Sequence, residues 1–437
     1  MQDMSRAYPA ADAPPVQGFA DATYRKIAWR LMPILFLSFV VSYLDRSNIG
    51  FAKLQMQSDL SLSNSVYGLG AGIFFIGYFL FEIPSNLILH RVGARRWIAR
   101  IMVSWGVISA LMFLVQGPLS FYVLRFLLGV AEAGLVPGVI LYLTYWFPAS
   151  RRANVVAVFY AAVAASGIVG GPLAGWLMTA FAGAYGLAGW QWLFIVEGLP
   201  SLLMAVVVLM YLDDSPAQAK WLTPAERDFA VSQLDATPPA HDRPFAVFAD
   251  FRMWVLTFVY FVLCAGIVGV GLWLPTLVQA TGVKDLVQIG ILSAVPYVVA
   301  IVAMILLGRH SDRTGERRWH IAVPMLMAAI GLAISVSYAN DTVVALIGLT
   351  LGAGGILCAT PPFWTLPVAI LSGRSAAVGV AMINATGNLG SFASPFFIGY
   401  TRDLTHSTAT GLYAIVAALV LGTLVVAFSR TVTAASR

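Results

Sequence analysis

Two residues of opposite charge, Asp45 and Arg46, stand side by side in "SYLDRSNIG", at the end of the apolar run "IAWRLMPILFLSFVVSYL". An ionised side chain inside hydrocarbon costs ~2.5 kcal/mol or considerably more, so it persists there only when something interior stabilises it. A second pair lies in "SFYVLRFLLGVAEAGLVPGVILYLTYWF", where Arg125 and Glu132 are seven residues apart, two helical turns on one face. Of the 20 acids, Asp45, Glu82, Glu132 and Glu197 fall within apolar runs, and all four belong to the first half of the chain. Any ion chemistry is therefore asymmetric between the halves. A partly desolvated carboxylate near an Arg can be pulled either way in proton affinity, and could take up a proton when its cationic partner turns to an anion. The alternative is a buried ion network that only fixes helix packing. Opposite chain directions place Asp45 and Arg125 at comparable depth with Glu132 deeper, so an Asp45–Arg125 or Glu132–Arg125 contact is expected. Glu82, beside Pro84, and Glu197, in "WQWLFIVEGLP", are read as structural.

Other chemistries find little support. The five histidines show no metal-ligand spacing, and no nucleophile constellation suggests an enzyme. No cofactor and no metal are expected. Cys264 and Cys358 both fall in apolar runs, which argues against a structural disulfide.

The elements that must hold these charges are membrane helices. The chain is 59% hydrophobic and 11% charged, against ~45–50% and ~25% in soluble domains. About 20 mostly apolar residues cross the ~30 Å of hydrocarbon. Twelve such segments begin near residues 27, 66, 97, 119, 154, 190, 252, 286, 319, 341, 376 and 409. An all-α membrane protein is expected, with twelve transmembrane helices in two pseudo-symmetric six-helix bundles, 25–212 and 252–430. Residues 1–24 read as a disordered tail without a cleavable signal peptide, and 431–437 as a second tail. The linker, 213–251, contains "TPAERDFAVSQL", an amphipathic helix capped by Thr223 with Pro224 and Glu226 in its first turn and ended by Pro238 and Pro239.

Of the 26 Lys and Arg, all but five fall on one side of the membrane. Lys53, Lys284 and Arg402 lie opposite, and Arg46 and Arg125 lie within. By the positive-inside rule both termini are cytoplasmic. The net charge of +6 then describes a rim beside anionic membrane lipid, with no nucleic acid as partner.

The halves echo each other, as repeats in secondary transporters do. "NLILHRVGARR" follows the second span and "GRHSDRTGERR" the eighth. With Gly93 set against Gly315, Arg91 matches Arg313, Arg95 and Arg96 match Arg317 and Arg318, and His90 stands where the second copy has Asp312. The second copy resembles the signature loop of the major facilitator superfamily; the first lacks its acid. That acid is expected to cap a helix amino terminus and pair with Arg, which makes Arg91, Arg95, Asp312, Arg313 and Arg317 a candidate cytoplasmic gate.

"YLDRSNIGFA", "FEIPSNLIL", "LRFLLGVAEAGLVPG", "YWFPASRRA" and "WQWLFIVEGLP" together resemble the anion:cation symporter family of that superfamily, and within it the bacterial tartrate, hydroxyphenylacetate and phthalate-type permeases. The resemblance covers residues 25–430. It implies alternating access by a functional monomer in the bacterial inner membrane, with import of a small organic anion together with protons. It also implies that Asp45 and Glu132 form the proton-coupling pair and that Arg46 binds the substrate carboxylate. Polar and aromatic residues within apolar spans add Tyr43, Tyr78, Trp364, Asn384 and Asn388 as cavity candidates. Pro361 and Pro362 are expected to break the tenth span just before Trp364. Gly167, Gly171 and Gly175, every fourth residue of the fifth span, permit close helix contact. The neighbouring Gly-Pro pair resembles a signature of drug/proton antiporters, so export of a drug or metabolite is the alternative.

Overall fold

The structure is a computed structural model that describes residues 16–234, 244–370 and 373–429. In chain order the first half comprises α1 (Val16–Asp59), α2 (Asn64–Val92), α3 (Ala94–Leu111), α4 (Pro118–Glu132), α5 (Leu135–Thr144), α6 (Ala149–Ala180) and α7 (Gly189–Tyr211). A short α8 (Pro224–Leu234) lies in the linker. The second half comprises α9 (Phe251–Ala280), α10 (Leu286–Thr314), α11 (Arg318–Ser337), α12 (Thr342–Ile370), α13 (Gly373–Thr405) and α14 (Ala409–Phe428). Among the described residues, eleven spans are long and apolar enough to cross a membrane, with α4 and α5 forming one of them. The twelfth crossing is α13, whose polar residues, Asn384, Asn388 and Ser391 among them, lower its hydropathy. The all-α, two-bundle architecture read from the sequence is the one observed. One end of the molecule carries the Arg-rich loops after α2 and α10 and is called the basic end below; the other is the distal end.

Two expectations about these elements are corrected. Residues 16–24, assigned to a disordered tail, are helical and open α1. Tyr24 is buried against Phe147 and Phe229, Phe19 meets Phe229 edge to face, and Asp21 pairs with Arg151, so these turns have partners that composition does not reveal. Residues 1–15, Pro238, Pro239 and the tail 431–437 lie outside the described residues.

The fourth span is interrupted. Ala133 is extended at ψ 131° and Gly134 adopts φ +89° between α4 and α5. A Cβ at Gly134 would also stand 2.2 Å from Ser85 Oγ, so both the backbone angle and the close approach of α2 require glycine.

The tenth span runs unbroken through Pro361 and Pro362 as α12. Thr360 and Thr365 hydroxyls donate to the Ile356 and Pro362 carbonyls at 3.0 and 2.7 Å. Pro361 has no N–H for the Leu357 carbonyl four residues back, and Leu357 borders the central cavity. The residue whose carbonyl Pro361 leaves free thus borders the cavity, and the helix runs through both prolines without a break.

The halves meet backbone to backbone in their distal portions. Cβ atoms at Gly171 and Gly290 would lie 2.4 and 2.2 Å from each other's carbonyl oxygens, so α6 and α10 approach as only glycine permits. Gly167 and Gly175 face Tyr297 and Leu286 in the same seam. On the basic side α8 docks on α1: Thr223 and Glu226 form the expected reciprocal cap at 3.3 and 2.8 Å, and Lys26 reaches Glu226 at 2.7 Å. Partial burial pushes the Glu226 carboxyl up, but the Lys26 and Thr223 bonds outweigh it and hold the group below the usual range.

Candidate functional site

Asp45 and Arg46 are consecutive on α1 and so diverge by about 100° around its axis. That divergence sends them to different places. Asp45, 1% exposed, turns into the first bundle. It accepts hydrogen bonds from Ser109 Oγ at 2.6 Å, Trp105 Nε1 at 2.8 Å and Ser201 Oγ at 2.8 Å, so α3 and α7 supply three neutral donors to one carboxylate.

Arg46 turns instead toward the interface between the halves. Its Nη2 donates to Glu132 Oε1 at 2.5 Å, and Ser42 Oγ donates to the same oxygen at 2.5 Å. The guanidinium carbon lies 5.6, 5.1 and 5.4 Å from the ring centroids of Tyr43, Phe74 and Tyr78, an aromatic collar that excludes water on three sides. Its buried Nε has no hydrogen-bond partner.

The expected carboxylate contacts of Arg125 do not form. Arg125 is fully buried, and its Nε and Nη2 donate to the carbonyls of Gly70 and Ala71 at 3.2 and 3.1 Å. A carbonyl oxygen has two lone pairs, so these two can serve the α2 ladder and Arg125 together. Glu132, the last residue of α4 before the break at Ala133–Gly134, pairs with Arg46 instead.

A cavity of about 40 Å³ lies between the halves, room for one or two waters. Tyr43, Arg46 and Phe75 line it from the first half, and Tyr297, Ile356 and Leu357 from the second. The other candidates, Tyr78, Trp364, Asn384 and Asn388, do not line it. Tyr78 belongs to the collar. Trp364 packs edge to face on Tyr260 at 4.8 Å and on Phe363 at 5.6 Å. Asn384 Nδ2 donates to Glu82 Oε1 at 2.9 Å, a bond from α13 to α2 across the halves. Asn388 is half-buried with its Nδ2 unpartnered. Sequence reasoning missed Ser42, Trp105, Ser109 and Ser201, small or aromatic residues that in an apolar run look like packing. It also missed the bridging role of Glu82.

At the basic end the second loop closes on itself. Arg317 Nη1 reaches Asp312 Oδ1 and Ser311 Oγ at 2.8 Å each. Glu316 accepts from the Trp319 amide and contacts His320, both at 2.7 Å. Arg313 and Arg91 are exposed. In the first loop His90 meets the Tyr145 hydroxyl at 3.0 Å, and the missing acid is supplied from elsewhere: Asp214, beyond α7, accepts the Arg95 amide N–H at 2.8 Å at the amino terminus of α3. A negative charge there complements the helix dipole.

Comparison with known proteins accords with this architecture. The family model described as Major Facilitator Superfamily matches residues 35–395. A chain of Agrobacterium vitis named for tartrate transport is 50% identical over 412 residues, covering 93% of this chain and 94% of its own. A quinolone resistance transporter of Acinetobacter baumannii is 39% identical, covering 92% and 94%. The inward open structure of the xylose transporter XylE from E. coli superposes with a TM-score of 0.74 at 16% identity, covering 91% of this chain and 94% of that one, which speaks for the fold alone. The protein is a multi-pass membrane transporter rather than an enzyme, and the chain belongs to the Major Facilitator Superfamily.

Proposed function

We propose that the protein imports a small organic anion, a carboxylate or sulfonate, by proton symport and alternating access, with the basic end in the cytoplasm. The observation that carries this reading is Arg46: a guanidinium at the interface of the halves, collared by Tyr43, Phe74 and Tyr78, with an unpartnered Nε and one carboxylate, Glu132, for a partner. A planar fork of this kind suits a bidentate anion. When the anion takes Arg46, Glu132 loses its cation and gains affinity for a proton, which links substrate and proton in one site. Asp45, held by neutral donors alone, is the second acid of the pair. The halves touch most closely in their distal portions, and the small central cavity would have to widen to admit a substrate, as rocking of one half on the other provides.

The physical need for protons is plain. Moving an anion into a cell that is negative inside is opposed by ~2.3 kcal/mol per charge per 100 mV, or ~4.6 kcal/mol for a dianion. Co-transported protons offset that term. The similarity to a chain named for tartrate transport supports a hydroxy acid. Similarity to the quinolone resistance transporter favours drug export as the second reading, and since a quinolone itself carries a carboxylate, Arg46 alone does not separate the two.

Purified protein in liposomes, given tartrate, an aromatic acid, sulfoacetate and a quinolone under an imposed pH gradient, tests both. Accumulation of an acid with an inward proton gradient is the expected result. Proton-driven efflux of the quinolone without acid uptake would replace the first reading by the second.

A further inference from the structure

The central site leaves a second buried basic side chain unexplained. Lys53 follows Arg46 by seven residues on the same face of α1, roughly 10 Å nearer the distal end. It is 2% exposed, and its Nζ has no hydrogen-bond partner. The ammonium sits 3.1 Å from the ring centroid of Trp273 in α9 and 4.6 Å from that of Tyr67 in α2. The two rings meet edge to face at 5.7 Å, and Tyr67 donates its hydroxyl hydrogen to the Leu272 carbonyl at 3.3 Å. One lysine thus fastens α1 and α2 of the first half to α9 of the second. It does so through rings, although its three N–H groups would bond an oxygen more directly.

Beside this contact lies a cavity of about 280 Å³, bordered by Lys53, Gln57, Ser58, Thr276, Gln279 and Arg402. The Thr276 hydroxyl is also buried and unpartnered. The Arg402 guanidinium lies over the Trp273 ring at 5.6 Å. The charged residues of this lining are both cations. Of the acids nearby, Asp403 is close enough for its charge to act on Lys53 and Arg402, but its oxygens accept from the backbone and side chains of Asn64 and Ser65 at 2.5–3.0 Å, and Asp59 accepts from Trp190 Nε1 at 2.9 Å. The cavity therefore combines room, positive charge and unmet donors.

We propose that this cavity is a second anion site, a vestibule of the distal gate that takes the carboxylate or sulfonate of a small organic anion between Lys53 and Arg402. The anion draws the Lys53 ammonium off Trp273 and Tyr67, and the contact that fastens the two halves is released by the ligand that needs to pass. Arg46, two turns further on the same face, is the next cation along the path. The chemical class of the ligand rests on the function proposed above; the existence of the site does not.

The test follows Trp273 directly. Protein carrying 5-fluorotryptophan, with the Trp273 resonance assigned as the one missing from Trp273→Phe, is titrated with tartrate and with uncharged tartramide at constant ionic strength. Tartrate is expected to give a saturable shift and tartramide none. Arg402→Gln should weaken the response at least tenfold, Lys53→Met should abolish it, and Lys53→Arg should retain it. Arg46→Lys should leave it in place, since the central site is separate. No shift in the unaltered protein, an equal shift with tartramide, or loss of the shift in Arg46→Lys would each overturn the proposal. If Lys53→Met does not fold, Arg402→Gln decides alone, and an unweakened response in it sinks the vestibule. A Trp273 response that persists when liposomes fail to transport any acid would end the proposed function and leave this site standing.

Discussion

At the scale of the residue, Arg46 pairs with Glu132, and the proposed function has it exchange that partner for an anion. Arg46→Lys keeps the charge but loses the planar fork. Affinity for the transported anion should fall about tenfold or more, ~1.4 kcal/mol, in calorimetry. Unchanged affinity would remove Arg46 from the binding site. Glu132→Gln keeps the shape and cannot titrate, so pH-driven accumulation should be lost while exchange of internal for external substrate survives. Counterflow and pH-driven uptake in the same liposomes separate the two. If accumulation continues near the original rate, Glu132 is a structural ion-pair member; if both activities vanish in folded protein, it is needed for the cycle itself. The identities of these residues were legible because an ion in an apolar run is costly and conspicuous. Their pairing was not. Spacing along α4 puts Arg125 and Glu132 on one face, but the α2 carbonyls that take Arg125 and the serines and indole that take Asp45 come from other helices, and no one-dimensional pattern reports them.

At the scale of the element, the helices themselves were plain from hydropathy, and the cap at Thr223 from local chemistry. What escaped was tertiary. Gly134 sits in "AEAGLVPG" without any sign that Ser85 will press against it, and the prolines of α12 look like a break until the cavity beside them is known. The two basic-end loops show the same limit more sharply. Sequence alignment of the halves set His90 against Asp312 and left the first loop without its acid, whereas Asp214, more than a hundred residues away, fills that place at the start of α3. The two acids are therefore expected to act alike. Asp214→Asn and Asp312→Asn each preserve an acceptor and remove the charge that complements a helix terminus or an Arg. Each should slow turnover several-fold while substrate affinity stays within a few-fold. Stopped-flow uptake beside equilibrium binding measures both, and a large loss of binding in folded protein would move that acid from the gate to the site.

At the scale of the whole molecule, the two bundles are joined by contacts of different character. In the distal portions, backbone meets backbone at Gly171 and Gly290, and Lys53 is caged by rings from both halves. Nearer the basic end the bond from Asn384 to Glu82 crosses the gap through side chains that can part and re-form. Glycine contacts of the first kind have no give: a Cβ at Gly290 would stand 2.2 Å from the Gly171 carbonyl oxygen. Gly290→Val should therefore prevent distal closure without disturbing either bundle, because the clash lies between the bundles and not within one. Transport should drop by about tenfold or more, the loss expected if closure costs an extra ~1.4 kcal/mol. Spin labels at the exposed distal positions Tyr185 and Val343, one in each half, should report a longer distance in the variant than in the parent. If the distance is unchanged while transport falls, the glycine seam is not what closes the distal side, and the rocking of one half on the other must pivot elsewhere.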